Sequence, residues 1–218
     1  MRRLAEPTVL MRAAVAAAGT ALACCPRFLA WPERSAPVWF LAIAAFLCSI
    51  VLWSFVFAWH TAYSGRPVWI SRPDLKLFTA ITAIGVAVGT AYHLWIDPAL
   101  RAKAPGEFPP DVAHWAAWAL FALSLNQLFV VFAPFAFFVR LFRQPLAAAI
   151  LTALFGVFIL TNKLSVLPGP LPSSLVAALI VGRLAGAYFA VVLYLRGGIL
   201  LASWWTLLLE ARLLLDFA

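Results

Sequence analysis

The chain contains 218 residues, of which 65% are hydrophobic and only 11% are charged, and its mean hydropathy is +0.98. Soluble domains are usually about 25% charged, so this composition excludes a soluble globular protein and indicates an integral membrane protein. The formal charge of +8 comes from 16 Lys and Arg residues spread over the polar connections, without a basic run interleaved with aromatic residues. We therefore expect the chain to contact membrane lipid and not nucleic acid.

The apolar residues form continuous runs and do not alternate with polar ones, which predicts an all-α, polytopic membrane helix bundle and excludes an outer-membrane barrel. We predict about seven transmembrane helices in a single membrane domain covering residues 1–218. Their segments are residues 8–25, 38–60, 77–96, 111–142, 146–161, 175–195 and 199–218. The first segment is short and contains Arg12, so it either spans marginally or lies at the interface. Pro26 and Pro32 are expected to close it.

Glycines indicate where these helices pack closely or break. Gly85 and Gly89 in the third segment, and Gly182 and Gly186 in the sixth, repeat at a four-residue spacing. This spacing places each pair on one helical face and predicts close approach of another helix. The dipeptide Gly197-Gly198 is predicted to break the chain between the sixth and seventh segments.

The fourth segment holds one polar pair, Asn126-Gln127, within an almost wholly apolar run. At about 1.5 Å rise per residue, Asn126 lies about 20 Å along a helix that begins near Val112, deep in a hydrocarbon core about 30 Å thick. A polar side chain at this depth must find a partner in the bundle or line a wet cavity. The pair therefore either joins neighbouring helices or marks a site. Pro134 is expected to kink the second half of the same helix.

Further polar positions lie inside apolar segments of the second half of the chain, namely Thr161-Asn162, Arg183, and Thr206 with Glu210. An intramembrane charge is costly and suggests a functional site. Arg183 and Glu210 have opposite signs on adjacent segments, so mutual neutralisation is the alternative. No two His, Cys, Asp or Glu residues stand at metal-ligand spacing on one predicted helix, and we expect neither a metal nor another cofactor.

The order of motifs from about residue 121 onwards is informative. It comprises Asn126-Gln127, Phe158-x-x-x-Asn162 (in another register Phe155-x-x-x-Ile159), the run GAYFAVVLYLRGGILLAS at residues 186–203, and Thr206-x-x-x-Glu210 (or Leu207-x-x-x-Ala211). This order resembles the CPBP family of CAAX-processing and bacteriocin-processing membrane proteases. That family has a Glu-Glu pair followed by Arg, then Phe-x-x-x-His, then a glycine-containing helix and a Tyr/Leu-Arg-x-Gly turn leading to His-x-x-x-Asn. The resemblance covers residues 121–217 and is closest in residues 186–203.

The catalytic positions of the family are substituted in this chain. Asn126-Gln127 replaces the Glu pair, Val131 stands where the family's Arg is expected, and neither of the later motifs contains histidine. The resemblance implies a Glu general base that activates water, with histidines that position the water or an oxyanion. Side-chain amides cannot replace this base, because they have no accessible pKa.

The resemblance and its departures together predict a catalytically inactive CPBP-like protein, a pseudoprotease that works by binding. Its expected role is that of a structural subunit, an assembly factor or a chaperone in a complex with another integral membrane protein. The alternative is a divergent CPBP-type intramembrane endopeptidase that uses Glu210. An enzyme requires Glu210 to open into a cavity, whereas a scaffold leaves it paired or at the interface.

The distribution of basic residues predicts the orientation in the membrane. Eight Lys and Arg residues fall on the connections that share a side with the N-terminus, and six fall on the other side. Cytoplasmic connections usually hold more Lys and Arg. We therefore expect a bacterial inner (plasma) membrane protein with a cytoplasmic N-terminus.

Overall fold

The computed structural model describes residues 4, 6–31, 35–70, 74–167, 169 and 171–217. Six helices in these parts of the chain are long and apolar enough to cross a membrane. They are α1 (Pro7–Leu29), α2 (Val38–Ser64), α3 (Leu75–Arg101), α4 (Val112–Phe142), α5 (Pro145–Ser165) and α6 (Ser173–Asp216). The chain is an all-α polytopic membrane bundle, as its composition predicts.

The seven predicted segments and the six helices differ at α6, which contains both the sixth and the seventh segment. Gly198 has φ 66° and ψ −163°, so the helix breaks there into a first arm (residues 173–197) and a second arm (residues 199–211). The ring centroids of Phe189 and Trp205 lie 4.8 Å apart, whereas a straight helix would separate these positions by about 24 Å. The arms therefore fold back on each other as a helical hairpin, and the predicted break at Gly197-Gly198 is confirmed.

The turn of this hairpin requires glycine at position 198. Its positive φ is unfavourable for any residue with a side chain, and a Cβ atom would lie 2.8 Å from the carbonyl oxygen of Val68. The Ile199 N–H donates to the same carbonyl oxygen at 3.0 Å, and Trp69 forms an isolated antiparallel bridge with Gly198. The connection between α2 and α3 thus fixes the turn of α6.

Helix α3 packs closely against the second arm of α6 at two glycines. A Cβ atom on Gly85 would lie 2.6 Å from Leu208 Cδ1, and a Cβ atom on Gly89 would lie 3.4 Å from the Leu208 carbonyl oxygen. Small residues at such contacts let two helical backbones approach. Gly85 and Gly89 therefore lie at a helix contact of the kind that their spacing predicts.

The second glycine pair divides between two environments. Gly182 faces the hydroxyl group of Tyr92 so closely that a Cβ atom would overlap it, whereas a Cβ atom on Gly186 would meet nothing within 4 Å. The predicted close approach is therefore found at Gly182 and not at Gly186. Gly186 instead borders a cavity.

Helix α1 has the length and composition of a complete span, which favours the spanning alternative for the first segment. It packs along α2, where the Trp53 indole N–H donates to the Thr20 hydroxyl at 3.0 Å in a buried setting. Arg12 is exposed. Pro26 does not close the helix, which continues to Leu29, because a proline in the last turn removes only one backbone hydrogen bond. Pro32 lies outside the described residues.

Helix α4 is irregular around its polar pair. It contains π-helical turns at Ala122–Asn126 and Leu128–Phe132, one on each side of Gln127. Pro134 follows the second turn, and its ring and missing N–H disfavour a regular α-helical turn just before it. The kink predicted at Pro134 stays a prediction, and the structure shows a widened helical turn that precedes the proline. Such π-turns are frequent at functional sites.

Ion pairs gather at one end of the bundle, which we call the ion-pair end. The Nε of Arg212 donates to the buried Asp97 carboxylate at 2.9 Å. Two further pairs lie beside it, Arg101 with Asp216 and Lys163 with Glu107. These contacts join α3, α5, α6 and the connection between α3 and α4.

Asp111 begins α4 at the same end. The His114 backbone N–H donates to its carboxylate at 2.8 Å and holds the pKa of this exposed carboxyl below its ordinary value. The opposite end of the bundle contains the α6 turn and we call it the Gly198 end. There the Arg140 guanidinium lies over the Trp59 ring, 4.2 Å from its centroid.

Candidate functional site: a polar cavity within the bundle

A cavity of about 260 Å³ lies between α3, α4, α5 and the two arms of α6. Its wall contains most of the polar residues predicted from the sequence, namely Asn126, Gln127, Arg183, Thr206 and Glu210. Gly182 and Gly186 also border it. The fold thus brings together residues from the fourth, sixth and seventh predicted segments.

The two amides of α4 have different surroundings. Gln127 is only 3% exposed, and its Oε1 accepts a hydrogen bond from the Ser203 hydroxyl at 3.1 Å. Its Nε2 is buried without a hydrogen-bond partner among the described residues. Asn126 is less buried and lines the cavity. Gln127 therefore joins α4 to α6, while Asn126 presents its amide to the cavity.

Arg183 and Glu210 face the same cavity without forming a contact ion pair. The Nε of Arg183 donates to the Gly156 carbonyl oxygen at 3.4 Å. Within the described part of the chain, the Glu210 carboxylate makes no hydrogen bond and no salt bridge within 4.0 Å. Direct neutralisation of the two charges, the alternative that their signs offer, is therefore not found among the described residues, and Glu210 borders the cavity.

The second motif, Phe158-x-x-x-Asn162, does not reach the cavity. Asn162 is exposed, and its Nδ2 donates to the Phe158 carbonyl oxygen within its own helix at 2.8 Å. Ile159, from the alternative register, is not in the cavity wall either; Leu160 is the nearest residue of this stretch that is. Asn162 therefore does not line the cavity that Asn126 borders, and its amide bonds within its own helix.

The wall also contains aromatic and charged side chains that the sequence does not identify as part of a site, namely Tyr92, Trp205 and Arg212. Tyr92 lies at a π-helical turn of α3, opposite Gly182. The sequence predicts a partner for Gly182 but cannot name it, because the contact joins residues on distant segments. Arg212 falls in the seventh predicted segment, where it continues α6, but the sequence does not reveal that it pairs with Asp97.

None of the three histidines lines the cavity. His60 is fully buried in the core, with its ring 4.2 Å from that of Tyr194 between centroids. His93 lies 3.8 Å from Asp216, and His114 pairs with Asp111. The described residues also contain no group of three or more His, Cys, Asp or Glu side chains that could hold a metal ion.

No family model matches the chain, and no curated protein or solved structure matches it either. The resemblance to the CPBP family therefore stays a prediction from the order of motifs.

Proposed function

We propose that this chain is a catalytically inactive CPBP-like membrane protein that acts by binding, as a structural subunit, an assembly factor or a chaperone of a membrane complex. One observation supports this proposal above all. The positions that correspond to the first and third family motifs border one intramembrane cavity, and they hold Asn126, Gln127, Thr206 and Glu210. The cavity thus retains polar groups at these positions while the paired carboxylates and the histidines are replaced.

The chemistry of these side chains favours binding over hydrolysis. Asn and Gln donate and accept hydrogen bonds but cannot take up or return a proton near neutral pH. General acid–base groups typically accelerate a reaction by about 10²–10⁴-fold. A cavity that lacks histidine and has amides in place of a Glu pair keeps the ability to orient a polar group and loses most of this acceleration.

We propose that the partner is another integral membrane protein. Large apolar side chains are exposed around the bundle, among them Val15, Trp39 and Phe158, and such surfaces contact lipid or protein. The test is purification in mild detergent after crosslinking in native membranes, followed by mass spectrometry of the recovered chains. We expect one integral membrane protein in a fixed ratio to this chain. A monodisperse monomer without a crosslinked partner would contradict the proposal.

A second candidate function is supported by the position of Glu210. Its carboxylate borders the cavity and makes no ion pair within 4.0 Å among the described residues, and a cavity of about 260 Å³ is large enough for several water molecules. As an endopeptidase, Glu210 would take a proton from water while the water oxygen attacks a peptide carbonyl carbon. The C–N bond would then break, and the proton would pass to the leaving nitrogen.

The variant Glu210→Gln separates the two candidates. A binding protein is expected to assemble normally and to retain its cellular function in this variant, since the cavity keeps a hydrogen-bonding side chain. A peptidase is expected to assemble normally and to lose cleavage, measured as new protein N-termini in membranes that contain the wild type and not the variant. Glu6→Gln is the matched control, because Glu6 is exposed just before α1 and belongs neither to the wall of the polar cavity nor to the groups that pair at the ion-pair end.

We further propose that the chain resides in a bacterial inner membrane with a cytoplasmic N-terminus, so that the Gly198 end faces the cytoplasm. The distribution of charge supports this orientation. Basic residues described at the Gly198 end are Arg66, Lys76, Arg140, Arg143 and Arg196. At the ion-pair end, by contrast, acidic residues pair with basic ones, as in Arg101 with Asp216, Lys163 with Glu107 and Arg212 with Asp97.

A further inference from the structure

Two more cavities adjoin the polar cavity, and Asn126 borders all three. The first, of about 350 Å³, extends towards the ion-pair end and we call it the outer cavity. The second, of about 620 Å³, is an apolar groove between α2 and α4, lined by side chains such as Leu47, Val51, Leu125 and Phe129. A polar interior and an apolar groove on the side of the bundle therefore meet at one residue.

The outer cavity and the polar cavity contain more cations than carboxylates. Their walls hold the cations Arg27, Lys163, Arg183 and Arg212 and the carboxylates Glu107 and Glu210. Two of the cations are already neutralised, Lys163 by Glu107 and Arg212 by Asp97.

Arg27 and Arg183 remain without an ion pair within 4.0 Å in the described part of the chain. Of the two carboxylates in these walls, Glu107 is paired with Lys163, and Glu210 makes no ion pair within 4.0 Å among the described residues. The two cavities thus have two uncompensated cations against one uncompensated carboxylate, which favours a negatively charged ligand.

Two buried N–H donors in these walls lack an acceptor. Gln127 lines the polar cavity and Trp118 lines the outer cavity. The Gln127 Nε2 and the Trp118 indole Nε1 are buried, and neither has a hydrogen-bond partner among the described residues. Buried donors in folded proteins are almost always paired. Both groups can only donate, so a ligand rich in acceptor oxygens would satisfy them.

Arg27 is held beside one of these donors. Its guanidinium lies over the Trp118 ring, 4.1 Å from the centroid, in a stacking geometry that suits arginine. Arg27 and Trp118 both line the outer cavity, so an anion bound there would lie beside the guanidinium. The stacked guanidinium is already oriented, so it loses little conformational freedom when it binds an anion.

We propose that these joined cavities bind an anionic membrane lipid. Its headgroup lies in the outer cavity beside Arg27 and Trp118, and one acyl chain lies in the groove between α2 and α4. The charge surplus and the two unpaired donors select an anionic, oxygen-rich headgroup, and the adjoining apolar groove selects a lipid over a soluble anion. The inference rests on the binding role proposed for the polar cavity and names the class of its ligand.

Lipid retention measured by native mass spectrometry tests this proposal. The purified protein is exchanged into detergent containing equal amounts of phosphatidylglycerol and phosphatidylcholine with identical acyl chains. We expect the wild type to retain phosphatidylglycerol in preference to phosphatidylcholine. Arg27→Gln should lower this retention about tenfold, as expected for the loss of one charge-assisted hydrogen bond.

Three further variants control for folding and for charge. Arg27→Lys keeps the charge and should retain part of the preference. Trp118→Phe keeps the ring under Arg27 but removes the N–H, and should weaken phosphatidylglycerol retention. Arg12→Gln removes the same charge from an exposed position on the same helix, and should leave retention unchanged.

The outcomes separate this inference from the proposed function. Equal retention of the two lipids by the wild type, or unchanged retention in Arg27→Gln, would overturn the lipid site, even if a partner protein is recovered. Equal competition by soluble glycerol phosphate would overturn the lipid and leave a site for free anions. Cleavage that is lost in Glu210→Gln, with lipid retention intact, would instead overturn the binding-only function.

Discussion

Gly182 and Gly186 show that two residues of one motif can have different roles. They stand one helical turn apart on the first arm of α6, but Gly182 faces the Tyr92 hydroxyl while Gly186 faces open space beside the polar cavity. The four-residue spacing predicts a shared helical face. It does not reveal where on that face the neighbouring helix ends and a cavity begins.

Replacing each glycine in turn by alanine tests this difference. Both substitutions gain the same helix propensity, so a difference between them reports packing. We expect Gly182→Ala to be less stable than Gly186→Ala by about 1–3 kcal/mol, because the new methyl group forces Tyr92 out of its position. Thermal or denaturant unfolding in one detergent measures the difference. Equal stabilities of the two variants would show that the Tyr92 contact does not constrain the bundle.

The polar residues of the site could be predicted from the sequence, whereas their partners could not. Asn126 and Glu210 interrupt apolar segments, and the cost of a polar group in lipid is a strong signal. Tyr92 and Trp205 belong to the ordinary aromatic content of membrane helices and give no such signal. Their place in the cavity wall depends on how α3 and α6 pack, which involves contacts between distant segments.

At the scale of elements, the α6 hairpin depends on one backbone conformation. Gly198 has a positive φ and lies in contact with the Val68 carbonyl oxygen. The two arms that it joins supply Arg183, Thr206 and Glu210 to the polar cavity. The geometry of the site therefore depends on a turn at the Gly198 end.

We expect Gly198→Ala to destabilise the bundle by about 1–3 kcal/mol, the usual cost of a residue held in an unfavourable backbone conformation. Gly106→Ala is the control, since a Cβ atom at Gly106 meets nothing within 4 Å. Spin labels at the exposed positions Tyr188 and Leu200 would report a broader distance distribution between the arms in Gly198→Ala. A distribution as narrow as that of the wild type would contradict the importance of the turn.

The helices themselves could be predicted from their apolar runs, but several of their ends could not. Hydropathy places the end of the third segment before Asp97, yet the helix continues to Arg101. A polar residue ends an apolar run without ending the backbone hydrogen bonding. Asp97 stays helical and buried because Arg212 neutralises it, and that partner lies far along the chain.

For the whole molecule, the two ends of the bundle differ in their charge pairing. Carboxylates neutralise Arg101, Lys163 and Arg212 at the ion-pair end, while Arg140 at the Gly198 end lies over an aromatic ring. Arg2, Arg3, Arg34 and Arg72, which also enter the prediction of orientation, lie outside the described residues. The hairpin in α6 returns the chain across the bundle once more, so the described residues form seven segments that run between the two ends.

Reporter fusions test the orientation that these charges predict. We expect a cytoplasmic reporter to be active when fused after Arg143, in the connection between α4 and α5. The same reporter fused after Lys103, in the connection between α3 and α4, should be inactive, and a reporter that requires the outer compartment should show the reverse pattern. Activity of the cytoplasmic reporter at Lys103 alone would invert the proposed topology, since alternate connections lie on opposite sides.

The π-turns of α4 affect how this protein is to be aligned with any other. A π-turn contains about one more residue than an α-turn, so two helices that present the same side chains to a cavity can differ by one residue for each such turn. Between Ala122 and Phe132 the chain has two of them. An alignment without gaps would therefore shift every residue after Gln127 to another face, and a relative of this chain is better sought by superimposing cavity walls than by counting along the helix.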